Sequence, residues 1–571
     1  MRTAFRPVLV MLATLLAGRS LAAQAPAGAS QRFDLLIRGG SVLDGTGNPA
    51  FRADVGVVDG RVAAVGRLNG AAAGRVIDAT GKVVAPGFID IHSHADDTNR
   101  GGRGTLRDPD ARRRSAPNLV TQGITTVVVN QDGRSVWPIR EQRATLERLG
   151  IGPNAILLVG HGEVRRRAMG DDFMRPATPA EVQRMRELVR EGMQDGAWGL
   201  SAGLEYVPGR WSTTDEIVAL AKEIVPWNGV YISHERSEGS DPMWFWPSQD
   251  PAGPPTLIDA VMETIEVGER SGATVVASHI KAKGAHYWGS GAAAIQLIEQ
   301  ARARGVQIYA DQYPYDTSGS DGSTVLIPGW ALARRGGAST DKVAALRAVM
   351  SDPAANAKLR QDITHEIRRR GGAAKVLVFD HPVADFAGKS LAEIAKMRGL
   401  SEVDAAIALQ LEGDPARAGG GRVRGFSLSE LDIEMYAARN WVATATDGGI
   451  ALPEDGPATH ARFYGTFPRK IRRYALDRGA LTLEDAIRSA TSLPARILGL
   501  EDRGMVRAGF VADLVVFDVN RIRDTATFVE PHQYAEGIDH VLIAGQPVVE
   551  NGRPTGALPG KVLAPAARPR A

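Results

Sequence analysis

The sequence predicts an α/β fold in which eight parallel strands close into a TIM-like barrel. Strand-like runs alternate with helical patterns through residues 86–490, and this repeat requires parallel strands joined by crossover helices. Strand-rich segments at residues 32–85 and 491–560 predict one small β-sandwich domain built from both chain ends. A polar, mostly helical stretch at about 330–430 interrupts the alternation, so we expect an insertion before the last barrel strand.

Composition excludes several classes of protein. The 571 residues are 44% apolar and 23% charged, as in ordinary globular proteins, which excludes wholesale disorder. Because the chain has no cysteine, disulfides, thiolate metal ligands and cysteine nucleophiles are excluded. The formal charge is only +3, and three arginines of the first 25 residues account for it, so no nucleic-acid partner is expected.

The first 25 residues have the order of a secretory signal peptide. Arg2 and Arg6 precede an apolar run over residues 7–17, and small residues follow it. The run is shorter than the ~20 residues that cross a bilayer, so we expect no membrane anchor. The sequence therefore predicts a secreted or periplasmic protein, with residues 561–571 as a flexible tail.

The sharpest chemical signal is the stretch Pro86-Gly-Phe-Ile-Asp-Ile-His-Ser-His94. Residues two apart in a strand face the same side, so His92 and His94 present two imidazoles together. They come at the carboxyl end of the first barrel strand, on the face where such barrels carry their active sites. This pair predicts a metal-binding edge.

Three later strands end in further potential ligands. His234 and His279 each follow a buried strand, and Asp447 ends the last one. Four imidazoles and one carboxylate on a single rim suit zinc or another borderline divalent ion. His161 also ends a strand, whereas we treat the remaining histidines as structural or surface residues.

This pattern resembles the amidohydrolase superfamily: His-x-His after the first strand, single histidines after the fifth and sixth, and aspartate after the eighth. Longer stretches resemble the N-acyl-D-amino-acid deacylases (D-aminoacylases) more specifically. These stretches are Gly39-Gly-Ser-Val-Leu-Asp-Gly-Thr-Gly47, Gly199-Leu-Ser-Ala-Gly-Leu-Glu-Tyr-Val-Pro-Gly209, Ser278-His-Ile-Lys281, Asp311-Gln-Tyr-Pro-Tyr315, Tyr464-Gly-Thr-Phe-Pro-Arg469, Thr491-Ser-Leu-Pro-Ala-Arg496 and Thr555-Gly-Ala-Leu-Pro-Gly560. The resemblance implies a zinc-dependent enzyme whose partner is a small N-acylated D-amino acid, split into a carboxylic acid and a D-amino acid.

The resemblance also implies roles for the strand-end ligands. His234 and His279 would hold a tightly bound zinc, and His92, His94 and Asp447 would line a second, weaker metal position. Asp447 would act as the general base that takes a proton from water and returns it to the departing amine.

A substrate clamp is implied by the same resemblance. Lys281, Tyr313 and Arg462 occupy the positions that hold the substrate carboxylate in the family, and their charges and donors suit that role. His161 and Tyr206 are weaker candidates for shaping the pocket or donating to the oxyanion.

One departure from the family concerns the metal bridge. The family has a zinc-binding cysteine in a Gly-Asn-Cys-Gly stretch, which here is Asn130-Gln-Asp-Gly133 with Asp132 in the cysteine's place. No lysine lies between residues 82 and 222, so a carboxylated lysine bridge is excluded as well. Asp132 is the favoured replacement, with Glu163, Glu205 or no bridge as alternatives. A carboxylate in place of a thiolate hardens the site and loosens zinc selectivity toward Mn²⁺ or Co²⁺.

Two other functions remain open at this point. Another amidohydrolase activity, on cyclic amides or peptide-like substrates, would use the same metal chemistry and differ at the clamp. An exported binding protein with a decayed metal site is disfavoured because all five strand-end ligands are present.

Overall fold

A computed structural model describes most of the chain in atomic detail. The described residues are 32–98, 102–319, 324–333 and 341–565. The predicted signal peptide lies outside them. Among the helices within these ranges, none combines the length and the hydrophobicity that spanning a membrane requires.

The chain begins with five strands of a chain-end sheet. They are β1 (Phe33–Val42), β2 (Phe51–Val58), β3 (Arg61–Gly66), β4 (Ala73–Asp78) and β5 (Val83–Pro86). β1 pairs antiparallel with β2 and parallel with β4 and β5, and β3 pairs with β2. The β2–β3 hairpin closes over Asp59 and Gly60, both at positive φ, as its two-residue turn requires.

Strands and helices then alternate, as the sequence predicts for a mixed α/β fold. The strands are β6 (Phe88–Asp90), β7 (Ile124–Val129), β8 (Asn154–Leu157), β9 (Val159–Gly160), β10 (Gly199–Gly203), β11 (Val230–His234), β12 (Thr274–Ala277) and β13 (Ile308–Gln312). The helices are α1 (Ala111–Arg114), α2 (Pro117–Val120), α3 (Ile139–Leu149), α4 (His161–Met169), α5 (Pro179–Gln194), α6 (Thr214–Ile224), α7 (Leu257–Ser271) and α8 (Gly291–Ala303). Thr178 and Thr256 begin α5 and α7 with capping boxes, which satisfy the first free N–H groups.

The strands of this central region are parallel and buried. β6 pairs with β7 and β7 with β8, and a second series runs from β9 through β13. Every residue of β7 is buried, because helices and neighbouring strands cover both of its faces. The carboxyl ends of parallel strands meet at one edge, and the functional site lies there.

The segment after β13 has an apolar core of its own, which includes Leu346, Leu359 and Val376. Its elements are α9 (Lys342–Ser351), α10 (Pro353–Arg369), β14 (Val376–Asp380), β15 (Lys389–Ser390), α11 (Leu391–Arg398), α12 (Glu402–Leu411) and β16 (Arg422–Gly425). The prediction of a mostly helical insertion missed the antiparallel sheet β15-β14-β16. Two of its strands have at most four residues, too short to show a periodic pattern.

The last part of the chain adds strands to the central parallel region and to the chain-end sheet. Its elements are α13 (Glu430–Ala437), β17 (Val442–Thr444), α14 (Arg462–Arg469) with a π-helical continuation (Lys470–Asp477), α15 (Leu483–Ala490), α16 (Ser492–Leu498), β18 (Leu514–Phe517), β19 (Ile538–Ile543), β20 (Gln546–Glu550), β21 (Arg553–Pro554) and β22 (Val562–Leu563). β17 pairs parallel with β13, and β18 pairs antiparallel with β5. The two chain ends therefore share one nine-stranded sheet.

The prediction of a flexible tail from residue 561 onward is wrong for its first residues. Val562 and Leu563 form β22, which runs parallel to β8. Val562 is buried in this position, and apolar burial of that kind offsets the entropy of ordering the chain.

Candidate metal centre

Four histidines and two aspartates converge at the carboxyl ends of the parallel strands. They are His92 and His94 after β6, Asp132 after β7, His234 at the end of β11, His279 after β12 and Asp447 after β17. All are buried except His94, which is partly buried. Asp132, His279 and Asp447 adopt positive φ values of 58°, 35° and 46°, which side-chain-bearing residues rarely do. Such backbone strain is concentrated at functional sites.

Asp132 lies at the centre of this group. Its Oδ1 is 3.6 Å from Nε2 of His92, 3.7 Å from Nδ1 of His234 and 3.8 Å from Nε2 of His279. Its Oδ2 is 3.6 Å from Nε2 of His94. Ligands bound tetrahedrally at about 2.0–2.2 Å lie about 3.3–3.6 Å apart, so these gaps match a shared cation better than direct hydrogen bonds.

The six side chains form two overlapping sets, one of His92, His94 and Asp447 and the other of His234 and His279, with Asp132 facing both. Nε2 of His94 lies 3.1 Å from Oδ1 of Asp447, and Nε2 of His92 lies 3.8 Å from the same oxygen. Nδ1 of His234 lies 3.0 Å from Nε2 of His279. Nε2 of His92 and Oδ1 of Asp132 are buried without a hydrogen-bond partner in the described part of the chain. Unpartnered acceptors of this kind fit a bound metal ion.

Buried partners fix which nitrogen of His92 faces the centre. The Ser278 hydroxyl donates to Oδ2 of Asp311 at 2.7 Å, so its oxygen accepts from Nδ1–H of His92 at 2.5 Å. This leaves the lone pair of Nε2 for a metal. Asp311 also accepts the backbone N–H of His279 at 2.7 Å, and burial raises the pKa of its carboxyl to about 6. Ser278 and Asp311 belong to stretches that resemble the D-aminoacylases, but no role was predicted for either residue.

Glu205 gives His234 the same kind of partner. Its Oε2 lies 3.0 Å from Nε2 of His234, which leaves Nδ1 facing Asp132. Glu205 therefore contacts the nitrogen that points away from the centre. Glu163 lies on α4 and pairs with Arg167 at 2.7 Å. The sequence offers Asp132, Glu163 and Glu205 as replacements for the zinc-binding cysteine of the family. Of these three carboxylates, only Asp132 faces both ligand sets.

Glu238 is a site residue that the sequence analysis missed. It ion-pairs with Lys281, and its carboxylate lies 3.1 Å from Nδ1 of His279 and 3.5 Å from Nζ of Lys283. Burial would raise the pKa of Glu238, but Lys281 and His234 outweigh burial and hold it well below its usual value. The only signal in the sequence was an acidic residue four positions after a strand-end histidine.

The predicted clamp residues line the same cavity, whose volume is about 470 Å³. The Arg462 guanidinium lies 4.5 Å from the centroid of the Tyr313 ring, and Nζ of Lys281 lies 5.3 Å from it. Tyr313 Oη and the Arg462 atoms Nε and Nη1 are buried without a partner among the described residues. Buried donors without partners, beside two cationic side chains, suit an anionic ligand.

Asp447 joins the clamp to the metal ligands. Its Oδ2 lies 3.1 Å from Nη2 of Arg462, while its Oδ1 faces the histidines. Burial would raise the pKa of Asp447, but Arg462 and His279 outweigh burial and hold it well below the usual value. The group is therefore a carboxylate at neutral pH.

The two weaker candidates differ in position. Tyr206 lines the cavity, with its ring centroid 4.2 Å from that of His234. His161 begins α4 and is absent from the described lining of the cavity, contrary to the prediction. Its Nε2 lies 2.8 Å from Glu216, which also pairs with Arg165, and this buried network holds the ring away from the site.

Comparison with known proteins identifies relatives along nearly the whole chain. The amidohydrolase family model matches residues 75–222 and 387–549. A D-aminoacylase of Alcaligenes xylosoxydans xylosoxydans is 34% identical over 94% of this chain and 98% of that protein. An N-acyl-D-glutamate deacylase of the same organism is 33% identical over 93% and 97%. The solved N-acyl-D-glutamate deacylase of Bordetella bronchiseptica, in complex with zinc and a phosphonate mimic of the tetrahedral intermediate, is 29% identical. It has a TM-score of 0.71 and covers 94% of this chain and 100% of that chain.

Proposed function

Because the chain belongs to the amidohydrolase family, we propose that it hydrolyses the amide bond of N-acyl-D-amino acids and releases a carboxylic acid and a D-amino acid. The observation that carries this proposal is one cavity that holds both a metal-ligand set and an anion clamp. Its volume of about 470 Å³ lies within the range of small-molecule sites.

We infer that the parallel strands close into a TIM-like barrel of eight, with β8 and β9 as one interrupted strand. Support comes from the junction of the first and last strands. The N–H of Asp447 donates to the carbonyl of His92 at 2.9 Å, and the N–H of His94 donates to the carbonyl of Gly448 at 2.8 Å. By the same inference, the chain-end sheet corresponds to the β-sandwich of the D-aminoacylases.

One or two zinc ions are assigned to the site. His234, His279 and Asp132 would hold one ion, and His92, His94, Asp447 and Asp132 would hold the other. Zinc bound here would lower the pKa of a water molecule and polarise the amide carbonyl of the substrate. Because Asp132 would offer oxygen where the family resemblance implies a cysteine sulfur, Mn²⁺ or Co²⁺ is expected to substitute for zinc.

The chain's own residues then move protons and hold the substrate. Oδ1 of Asp447 accepts the proton of the attacking water and delivers it to the departing nitrogen. Arg462 keeps Asp447 ionised for the first of these transfers. Lys281, Tyr313 and Arg462 hold the α-carboxylate while the scissile amide lies at the metal ligands. With both groups held, D and L enantiomers direct their side chains toward different walls of the cavity, and this difference is the basis for selecting the D form.

Chelation and reconstitution test this function against its rivals. Stripped protein, reloaded with Zn²⁺, Mn²⁺ or Co²⁺, is assayed with a panel of N-acetyl-D-amino acids and with a hydantoin. We expect metal-dependent release of D-amino acid and no ring opening. Opening of the hydantoin alone would move the activity to cyclic amides. No activity with any metal would favour a binding protein.

We also propose that the chain is exported and that a signal peptide of about 25 residues is removed. The basic, apolar and small-residue order of residues 1–25 supports this. Amino-terminal sequencing of the protein from periplasmic and cytoplasmic fractions tests it. An intact residue 1 in all fractions would contradict export with cleavage.

A further inference from the structure

A second cavity, of about 200 Å³, adjoins the metal centre. Asp132 and Arg134 line both this cavity and the larger one, so the two spaces meet at the proposed metal bridge. The remaining walls include Glu163 and Arg166 of α4 and Pro208 after β10. None of these wall residues belongs to the clamp.

The position of this cavity suits the acyl half of a substrate. Lys281, Tyr313 and Arg462 follow β12, β13 and β17, whereas the cavity walls follow β7, β9 and β10. In the barrel proposed above, these two groups of strands lie on opposite sides of the barrel mouth, across the metal centre from each other. An N-acyl amino acid carries its carboxylate and its acyl chain on opposite sides of the scissile amide. A substrate held by the clamp therefore directs its acyl chain toward the second cavity.

Two arginines in the walls of this cavity, Arg134 and Arg166, have no ion-pair partner among the described residues. The Arg134 guanidinium lies 5.4 Å from the Tyr206 ring centroid. Arg166 is exposed, and its guanidinium lies 4.6 Å from the Phe173 ring centroid. Among the described residues it donates to the Val207 carbonyl, at 3.4 Å.

The two acidic residues that line this cavity have other partners. Glu163 pairs with Arg167 at 2.7 Å, and Asp132 faces the histidines of the metal centre. A guanidinium group that has no carboxylate partner within the protein can bind the terminal carboxylate of a ligand in bidentate fashion.

We propose that this cavity is the acyl subsite and that Arg134 and Arg166 select acyl groups ending in a carboxylate. The preferred substrates are then D-amino acids acylated with a dicarboxylic acid of the succinic type. This inference rests on the proposed deacylase function. It extends that function to the half of the substrate that becomes the released acid.

The test compares three acyl groups on one D-amino acid, using the zinc-loaded full chain. They are N-acetyl, N-succinyl and N-succinamoyl, the last being the neutral amide of matched size. We expect kcat/KM for succinyl to exceed that for succinamoyl by roughly 10- to 100-fold, the effect of a charge-assisted contact. Added salt should shrink this ratio, because the cavity is open to solvent.

Variants assign the preference to its residues. Arg134→Met and Arg166→Met should each reduce the succinyl-to-succinamoyl ratio, and the double variant should bring it close to one. Arg184→Met is the matched control: Arg184 lies exposed on α5, where it pairs with Glu187 at 3.2 Å, and the ratio should stay unchanged. Thermal melting confirms that each variant is folded.

The outcomes separate this inference from the function on which it rests. Hydrolysis of N-acetyl substrate with no preference for succinyl over succinamoyl would overturn the acyl-subsite assignment and leave the deacylase function intact. A strong preference that survives the double variant would overturn the assignment to Arg134 and Arg166. Hydrolysis of none of the three compounds would overturn the deacylase function and this inference together.

Discussion

Replacing Arg462 with methionine is expected to weaken catalysis mainly for substrates that carry a free α-carboxylate. Nη2 of Arg462 contacts Oδ2 of Asp447 at 3.1 Å, while Nε and Nη1 are buried donors without a partner among the described residues. Those two donors are available to bind the carboxylate of a substrate. The substitution removes them and leaves an apolar side chain of comparable length.

The size of the loss follows from those two donors. A hydrogen bond to a charged group contributes about 1.5–3 kcal/mol, so two contribute about 3–6 kcal/mol. Each 1.4 kcal/mol is a tenfold effect, so kcat/KM should fall about 10²- to 10⁴-fold. Lys281 and Tyr313 remain in place, which puts the expected result toward the lower end.

The assay compares an N-acetyl-D-amino acid with its α-carboxamide, which lacks the charge. Because Arg462 also holds Asp447 ionised, part of the loss will be common to both substrates. The clamp is measured by the additional loss for the acid, which should reach at least about tenfold. Equal losses for the two substrates would refute the clamp and leave Arg462 only as a partner of Asp447.

Three further substitutions test the general base Asp447, the metal ligand Asp132 and the buried Lys470. Asp447→Asn should lower kcat by about 10²- to 10⁴-fold while elemental analysis still finds at least one zinc per chain, held by His234 and His279, and turnover close to wild type would refute the general base. Asp132→Ala should weaken zinc binding at least about tenfold in equilibrium dialysis, because both ligand sets lose an oxygen, and unchanged affinity would contradict the bridge. Burial lowers the pKa of Lys470 to about 7, and its ammonium has no partner in the described chain. The unfolded chain binds this proton up to about pH 10.4, so the stability of the wild type should rise by up to about 4 kcal/mol from pH 7 to pH 10. Lys470→Met should therefore be more stable than wild type in urea at pH 6 and lose that advantage toward pH 10, whereas a difference independent of pH would contradict the buried charge.

The ligands were predictable because parallel strands share an edge. His92 and His94 lie two apart on one strand, and His234, His279 and Asp447 each end another. The alternation of strands and helices alone places all five side chains on the same side of the sheet. Packing details are not needed for that step.

The partners of those ligands were not predictable, because their contacts depend on the paths of loops. Glu238 reaches Lys281 across 43 positions, and nothing in the local sequence specifies that approach. For His161 the prediction failed in the opposite way, because a position at the cavity was predicted and its side chain lies elsewhere. It ends a strand as His234 does, yet Glu216, 55 positions later, turns its ring into a buried network. Sequence periodicity locates a residue on an element but does not say which partner its side chain meets.

The stereochemistry of hydrolysis tests the proposed deacylase activity. Zinc-reconstituted mature protein is given N-acetyl-D- and N-acetyl-L-forms of the same amino acids, and the released amino acid is identified by chiral chromatography. We expect metal-dependent release from the D series, because with the α-carboxylate and the amide both held the two enantiomers direct their side chains toward different walls of the cavity. Release from the L series alone, or at equal rates from both, would contradict the proposed deacylase.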